Sequence, residues 1–418
     1  MKYPEVEKEV KKILLLRDYK VVKFMLAVMV ANKIPQLKPT FAMIVGNSSG
    51  GKSTLLDGFR SFPQAYFLDD ITPNTFISGA KRVDKETSLL LRVAANTVFV
   101  VSDLTMLLSK DEKVIPTIMS QLRLMYDGKL TKEFGTGDKV VFNSRVGFLA
   151  GVTDAIYQKQ QQFQNLGERM LYYSLDTDNG IQARIDIGEM ALNDALNDSD
   201  KENNLQYCYQ ELLNSVIIPQ DMQPLPREVR SNIIKLAEMA TRARSAVTRK
   251  QFHRDNPITQ IHDLEGAPRM AKQLMNIGQA CKLINGGELL PEDTTIMYKA
   301  ALDSIPRMRK IVMERMASHA EADMYGLARD INLHVDTIKP IIEDLHALGV
   351  IKKSPGFGKD NWFYEIEPYY RELFNKFLNI ETVNDKLTAS DKEPTLQIGD
   401  AFPELTGAPI SEGFAFSS

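Results

Sequence analysis

One short segment limits what this chain can fold into. Gly46-Asn-Ser-Ser-Gly-Gly51-Lys52-Ser53-Thr54 fits G-x-x-x-x-G-K-[ST], the phosphate-cradling P-loop. Phe41-Ala-Met-Ile-Val45 before it is apolar and strand-like, and Leu55-Leu56-Asp57-Gly58-Phe59 after it continues as a helix. Strand, glycine turn and helix in that order predict a parallel α/β sheet with the loop at a strand's carboxyl end. Glycines let backbone N–H groups crowd an anion, and a helix start adds partial positive charge. Gly46, Asn47, Ser48, Ser49, Gly50, Gly51, Lys52, Ser53 and Thr54 are therefore expected to hold a nucleoside triphosphate. Lys52 reaches the β/γ-phosphates in this pattern, and the Ser53 hydroxyl sits on Mg²⁺.

A chain of 418 residues has room for two or three domains. Its formal net charge of −3 excludes a uniformly basic nucleic-acid coat, so any DNA contact must come from local patches. Cys208 and Cys281 make neither a metal set nor a disulfide framework, which fits a reducing cytosol. The longest apolar stretch, residues 21–31, carries Lys23 and is too short to span a bilayer. No signal peptide is visible in the charged first residues, and a cytoplasmic protein without a membrane partner is expected.

Residues 3–34 read as helix from their apolar spacing, an amino-terminal helical region (1–34). An α/β core is expected over 35–180. Candidate strands come after the loop at 65–69, 97–103, 146–153 and 170–176, separated by helical patterns at 79–94, 111–127 and 154–168. Continuous apolar runs between helices indicate a parallel sheet covered on both faces. From 181 to 316 helices dominate as a lid, with the polar run 196–204 as a surface loop. Over 317–378, Ala322 to Arg329 and Val335 to Leu348 read as helices around an Asn332-Leu-His turn. Val350-Ile-Lys-Lys and Trp362-Phe-Tyr-Glu-Ile366 then form a hairpin, which makes a winged helix. Residues 379–418 are polar, without periodicity, and read as a disordered tail.

The chemistry is expected at strand ends. Asp103 closes an apolar strand, where a carboxylate holds the hydration shell of Mg²⁺ or orients the attacking water. Many ATPases carry two adjacent acids there. This chain has Ser102 then Asp103, so either Asp103 does both jobs or Asp69, Asp70 or Glu168 supplies the second. Thr153 is suited equally to touch a γ-phosphate and to cap a helix. Arg169, just before the last strand, is a surface ion pair or a cation for a neighbour's γ-phosphate. Residues 128–142 have hairpin chemistry, which is either a solvated surface hairpin, the reading the segment alone favours, or one that offers Lys132 and Lys139 to a phosphate backbone. In the winged helix Thr337 and Lys339 face a candidate groove, and Lys352, Lys353 and Lys359 sit on the wing. Asp336, Glu343 and Asp344 oppose that assignment. The basic stretch of Arg242, Arg244, Arg249 and Lys250, with Arg254, is either phosphate contact or lid-surface charge.

With these pieces in order, the chain resembles the AAA+ ATPases, and within them the minichromosome-maintenance helicases. Asn143-Ser-Arg145-Val-Gly-Phe-Leu-Ala-Gly-Val-Thr153 looks like that family's strand leading to its sensor-1 residue, after an inserted hairpin. Leu166-Gly-Glu-Arg169-Met-Leu is similar to its arginine-finger segment, and Pro268-Arg269-Met-Ala-Lys resembles its sensor-2 helix. Thr75-Phe-Ile-Ser-Gly79 and Leu122-Arg-Leu-Met-Tyr-Asp-Gly128 look like hallmarks of phage and mobile-element AAA+ proteins. The likeness covers about residues 25–315. It implies an ATPase using ATP and Mg²⁺, with Lys52, Asp103, Thr153, Arg169 and Arg269 catalytic and Ser53 and Asp103 on the metal. It further implies a homo-oligomer, a hexameric ring acting on DNA alongside other replication or mobile-element proteins, as helicase or translocase. A DNA-bound ATP switch and a regulatory NTPase that binds protein are the alternatives.

Overall fold

Five of the apolar runs become five parallel strands. These are β1 (Phe41–Val45), β2 (Ala65–Phe67), β3 (Val98–Val101), β6 (Gly147–Val152) and β7 (Leu171–Ser174), in the order β2-β3-β6-β1-β7. Between β3 and β6 the chain inserts an antiparallel hairpin of β4 (Lys129–Glu133) and β5 (Lys139–Asn143). The computed structural model describes residues 1–78, 88–108, 110, 114–135, 139–157, 168–176, 180–194, 198–250, 256–319, 322–356 and 362–376. The expected tail, and most of the helical patterns expected at 79–94 and 154–168, lie outside the described residues.

Alternation along the strands divides the interior in two. Ala42, Ile44, Val98, Val100, Leu149, Leu171 and Tyr173 face one core, with α2 (Lys20–Lys33) and the lid helices. Phe41, Met43, Phe99, Val101, Phe148, Ala150, Val152 and Tyr172 face the other, with α6 (Val114–Asp127). The register sets Val45 opposite both Val152 and Ser174. The segments leaving β1, β6 and β7 therefore emerge at one edge of the sheet, and the segments entering them lie at the opposite edge.

Helix α2 is buried on almost every side, between the sheet and the lid helix Pro268–Ile284, as a helix apolar all round must be. It carries one interior charge: Lys23, 1% exposed, bonds Asp293 at 2.7 Å and also Glu292. Removing Asp293 leaves the buried Lys23 with Glu292 alone and takes an acceptor from Leu290 N and the Asn285 amide. Asp293→Ala is therefore expected to cost about 3–5 kcal/mol in urea unfolding. A loss below about 1 kcal/mol would contradict the pairing.

The residues expected as one helix from 3 to 34 instead form α1 (Tyr3–Lys11) and α2. The break has a local cause. The Tyr19 hydroxyl accepts from Leu16 N and donates to Leu14 O, and Asp18 accepts from Lys20 N, so backbone groups of 14–20 are satisfied outside a helix. Residues 198–204, expected as loop, open the helix Asp198–Ser215, whose later residues Leu205, Tyr209 and Leu212 are buried and anchor it. The lid also contains a hairpin, β8 (Val247–Arg249) with β9 (Ile258–Ile261), where only helices were expected. Among the described residues no helix is long and apolar enough to cross a membrane.

Residues 322–366 form helix Met324–Ile331, a turn with Asn332 at φ 57°, helix Val335–Ala347, and a hairpin of β11 (Ile351–Pro355) and β12 (Trp362–Ile366). Residues 322–323, expected to begin the first helix, pair with β12 as a third strand, β10 (Ala322–Asp323). Asp323 then caps the helix, accepting from Tyr325 N and Gly326 N. The Val335–Ala347 helix is tied to the lid. Arg249 bonds Glu343 and Asp344, and Arg309 bonds Asp344 at 2.9 Å. Glu343 and Asp344, which opposed nucleic-acid contact in the sequence, are thus spent on the lid side.

Candidate nucleotide-binding site

The loop leaves β1 at Val45 and is pinned at once by Gly46 N donating to Val152 O at 3.1 Å. Ser49 and Gly51 take left-handed backbone at φ 62° and 86°. At Gly51 a side chain fails twice over: φ is positive, and a Cβ would lie 2.8 Å from Leu14 Cδ2. The turn delivers Lys52 and Ser53 at the start of α3 (Lys52–Asp57). Lys52 is 6% exposed and folds back on its own loop, donating to Gly46 O at 2.8 Å and Asn47 O at 2.6 Å. Burial lowers its pKa below the ordinary lysine value, against the raising effect of Asp103 and Asp154. An ammonium so placed exchanges two neutral acceptors for phosphate oxygens, which bind a cation more strongly.

Asp103 emerges exposed from β3, its Oδ1 accepting from Thr105 N at 2.8 Å. Thr153 emerges from β6, its N donating to the Thr105 hydroxyl at 3.2 Å and its own hydroxyl 3.4 Å from the same oxygen. The Thr153 hydroxyl therefore lies against the β3 end. Asp154 pairs with Arg307, from the lid helix Arg307–Ala317. Ser102 donates to Asp57 Oδ1 at 3.1 Å. Thr105, Arg307 and Asp57 did not stand out in the sequence: Thr105 meets Thr153 through strand order and Arg307 meets Asp154 through lid packing, while Asp57 lies on the loop's own helix and is marked only by its contact with Ser102.

Two cavities flank the loop. One, of about 280 Å³, is walled by Ile13, Leu14, Leu15, Leu16, Ile187 and Met190 with residues 49–54. Its apolar wall beside a phosphate loop suits a flat aromatic base. The other, of about 240 Å³, is polar, with Asn47, Asp154, Asp176, Asp303, Arg307 and Lys310.

The candidate second acids separate. Asp69 is exposed, and Asp70 is held by Lys110 at 2.7 Å at the end of β2, an edge strand with β3 and β6 between it and β1. Glu168, 2% exposed, lies at the opposite edge, accepting from the backbone N of Arg169 and Met170 and from the Tyr172 hydroxyl. It cannot serve its own loop.

Arg169 and Arg269 are also at that opposite edge, and they are together. Arg169 lies 3.5 Å from Asp127 and over the Tyr126 ring, and burial, then the Arg269 charge, lowers its pKa. Arg269 donates to Glu168 O at 3.3 Å and pairs with Glu265 at 3.4 Å. The length of β1, about 17 Å at 3.3 Å per residue, separates both arginines from the loop of the same chain. Arg169, expected at a neighbour's γ-phosphate, and Arg269, expected at a γ-phosphate, thus stand together in a second cluster.

The inserted hairpin starts at the same edge. Leu130 and Phe142 bury towards α6, while Lys132 lies over the Phe134 ring at 5.0 Å and Lys139 pairs loosely with Glu133 at 3.6 Å. Thr337 and Lys339 are exposed on their helix. Lys352 pairs with Glu367 at 2.9 Å, and Lys353 sits 4.0 Å over the Trp362 ring. Lys359 and Arg254 lie outside the described residues. Arg242 is partly exposed and bonds Glu238, whereas Arg244 and Arg249 are interior struts: Arg244 bonds Glu265 through two nitrogens, and Arg249 holds the Val335–Ala347 helix. Neither the models of known protein families nor the curated proteins compared with the chain match it.

Proposed function

We propose that the chain is an AAA+ ATPase that works on DNA as a ring of copies. One observation carries the reading. Strand β6, ending in Thr153, is inserted between the loop strand β1 and the acid strand β3, so that Lys52, Thr153 and Asp103 stand at the ends of three adjacent strands. Three side chains suited to phosphoryl transfer are thereby gathered at one end of the sheet. Lys52 stabilises the transferring phosphoryl oxygens, Thr153 holds the γ-phosphate or the lytic water, and Asp103 orients that water.

Ser53 and Asp103 suit Mg²⁺, which prefers oxygen ligands and binds through one or two protein groups plus substrate phosphates. Bound Mg²⁺ neutralises charge on those phosphates.

Arg169 and Arg269 support the ring. Residues a strand length from their own loop act on a neighbour's when copies associate head to tail, and such an interface closes into a ring. The hairpin with Lys132 and Lys139 leaves the same edge and faces DNA. Thr337 and Lys339, freed of competition from Glu343 and Asp344, give the winged helix its DNA face. The ties from Arg249 and Arg309 favour one second reading, a DNA-bound ATP switch, because they pass lid movement to the winged helix.

ATP hydrolysis measured with and without single- and double-stranded DNA, beside strand displacement on a forked duplex, separates these readings. The expected result is DNA-stimulated hydrolysis with displacement. Stimulation without displacement selects the switch, and hydrolysis indifferent to DNA rejects both.

A further inference from the structure

We propose that Asp57 supplies the second carboxylate of the Mg²⁺ site, in place of the acid missing at Ser102; this rests on the ATPase reading above. Three observations converge on it. Ser53 and Asp57 are four residues apart on α3, so they share one face, with Cβ atoms about 5–6 Å apart. Asp57 reaches from α3 to the end of β3, where Ser102 donates to its Oδ1 at 3.1 Å. The close fit at Gly151 holds this geometry: a Cβ there would lie 2.5 Å from Ser102 O and 3.0 Å from Leu56 Cδ1, so β6 lets helix and strand end approach.

The carboxylate is also available. Arg60 and Ser102 both meet Oδ1, at 2.9 Å and 3.1 Å, and the carboxylate is about a third exposed. The Arg60 side chain is about half exposed, and such an ion pair yields readily. Of the other acids considered, Asp70 and Glu168 are committed elsewhere, and Asp69 follows the edge strand β2, with β3 and β6 between it and β1. Ser102 thus acts as a positioning residue. Its hydroxyl aims the carboxylate towards Ser53 and Asp103, and the negative charge usual on the strand is carried by the P-loop helix.

Calorimetric titration of a non-hydrolysable ATP analogue into the full chain, with Mg²⁺ and with chelator, tests the assignment without turnover. Asp57→Asn is expected to lose about tenfold or more of the gain in affinity that Mg²⁺ gives, with metal-free affinity unchanged. Adding Ser102→Asp to Asp57→Asn is expected to restore the gain, which a merely structural role would not allow. A full Mg²⁺ gain in Asp57→Asn, or no restoration in the double variant, overturns the assignment alone. Failure of the unaltered protein to bind the analogue overturns the ATPase reading and this assignment with it.

Discussion

Lys52→Ala is expected to lower ATP turnover about a thousandfold while the protein stays folded. The two halves of that result have separate causes. The ammonium is the one cation the loop itself contributes, and it is preorganised 2.6–2.8 Å from acceptors that phosphate oxygens displace. Its loss removes charge stabilisation at the transferring phosphoryl group. The fold, by contrast, owes Lys52 little: the side chain bonds two carbonyls of its own loop, and both residues border the polar cavity. Burying the ammonium already works against it, as its lowered pKa records. The unfolding midpoint is expected to move by no more than about 4 °C. Steady-state kinetics and a thermal melt on the same preparation check both halves. Turnover that survives the substitution contradicts the site, and a melt that collapses means Lys52 is structural.

Arg169→Ala is expected to reduce hydrolysis about 10³–10⁵-fold and leave nucleotide affinity nearly unchanged. Both parts come from placement. A cation a strand length from its own loop takes no part in binding there, and it acts when a neighbour presents phosphates to it. Arg169→Lys is expected to recover little, since a point charge does not reproduce the guanidinium fork. Mixing supplies the decisive control. Arg169→Ala and Lys52→Ala proteins, each inactive, are expected to regain activity together, because some interfaces then join an intact loop to an intact arginine. Wild-type hydrolysis in Arg169→Ala, or no recovery on mixing, contradicts a shared site.

The strands and the loop were legible because their signals are local. Continuous apolar runs such as Thr97-Val-Phe-Val-Val101 have no other use than a doubly covered sheet, and the glycine spacing at 46–51 encodes a turn. Strand order was not legible, and it decides the site. It sets β6 between β1 and β3 and brings Thr105 to Thr153, while packing of the Pro268–Ile284 helix carries Arg269 to the Glu168–Arg169 segment. Ion pairs between distant segments hide in the same way. Arg249 and Arg309 read as basic surface until Asp344 is placed between them. Glu168 reads as a possible catalytic acid when its position along β7 is known and its end of the sheet is not. The unbroken helix expected over residues 3–34 fails for a different reason. Leucines 14–16 continue its apolar pattern, but they are used as the wall of a cavity, a tertiary role that propensity does not record.

All of these expectations depend on the loop holding a polyphosphate. Calorimetric titration of ATP with Mg²⁺ into the purified full chain measures that directly, with Lys52→Ala as the control. Saturable heat in the unaltered protein, weakened when Mg²⁺ is withdrawn and strongly reduced in Lys52→Ala, is the predicted result. No heat from the unaltered protein, or equal binding by Lys52→Ala, would contradict it.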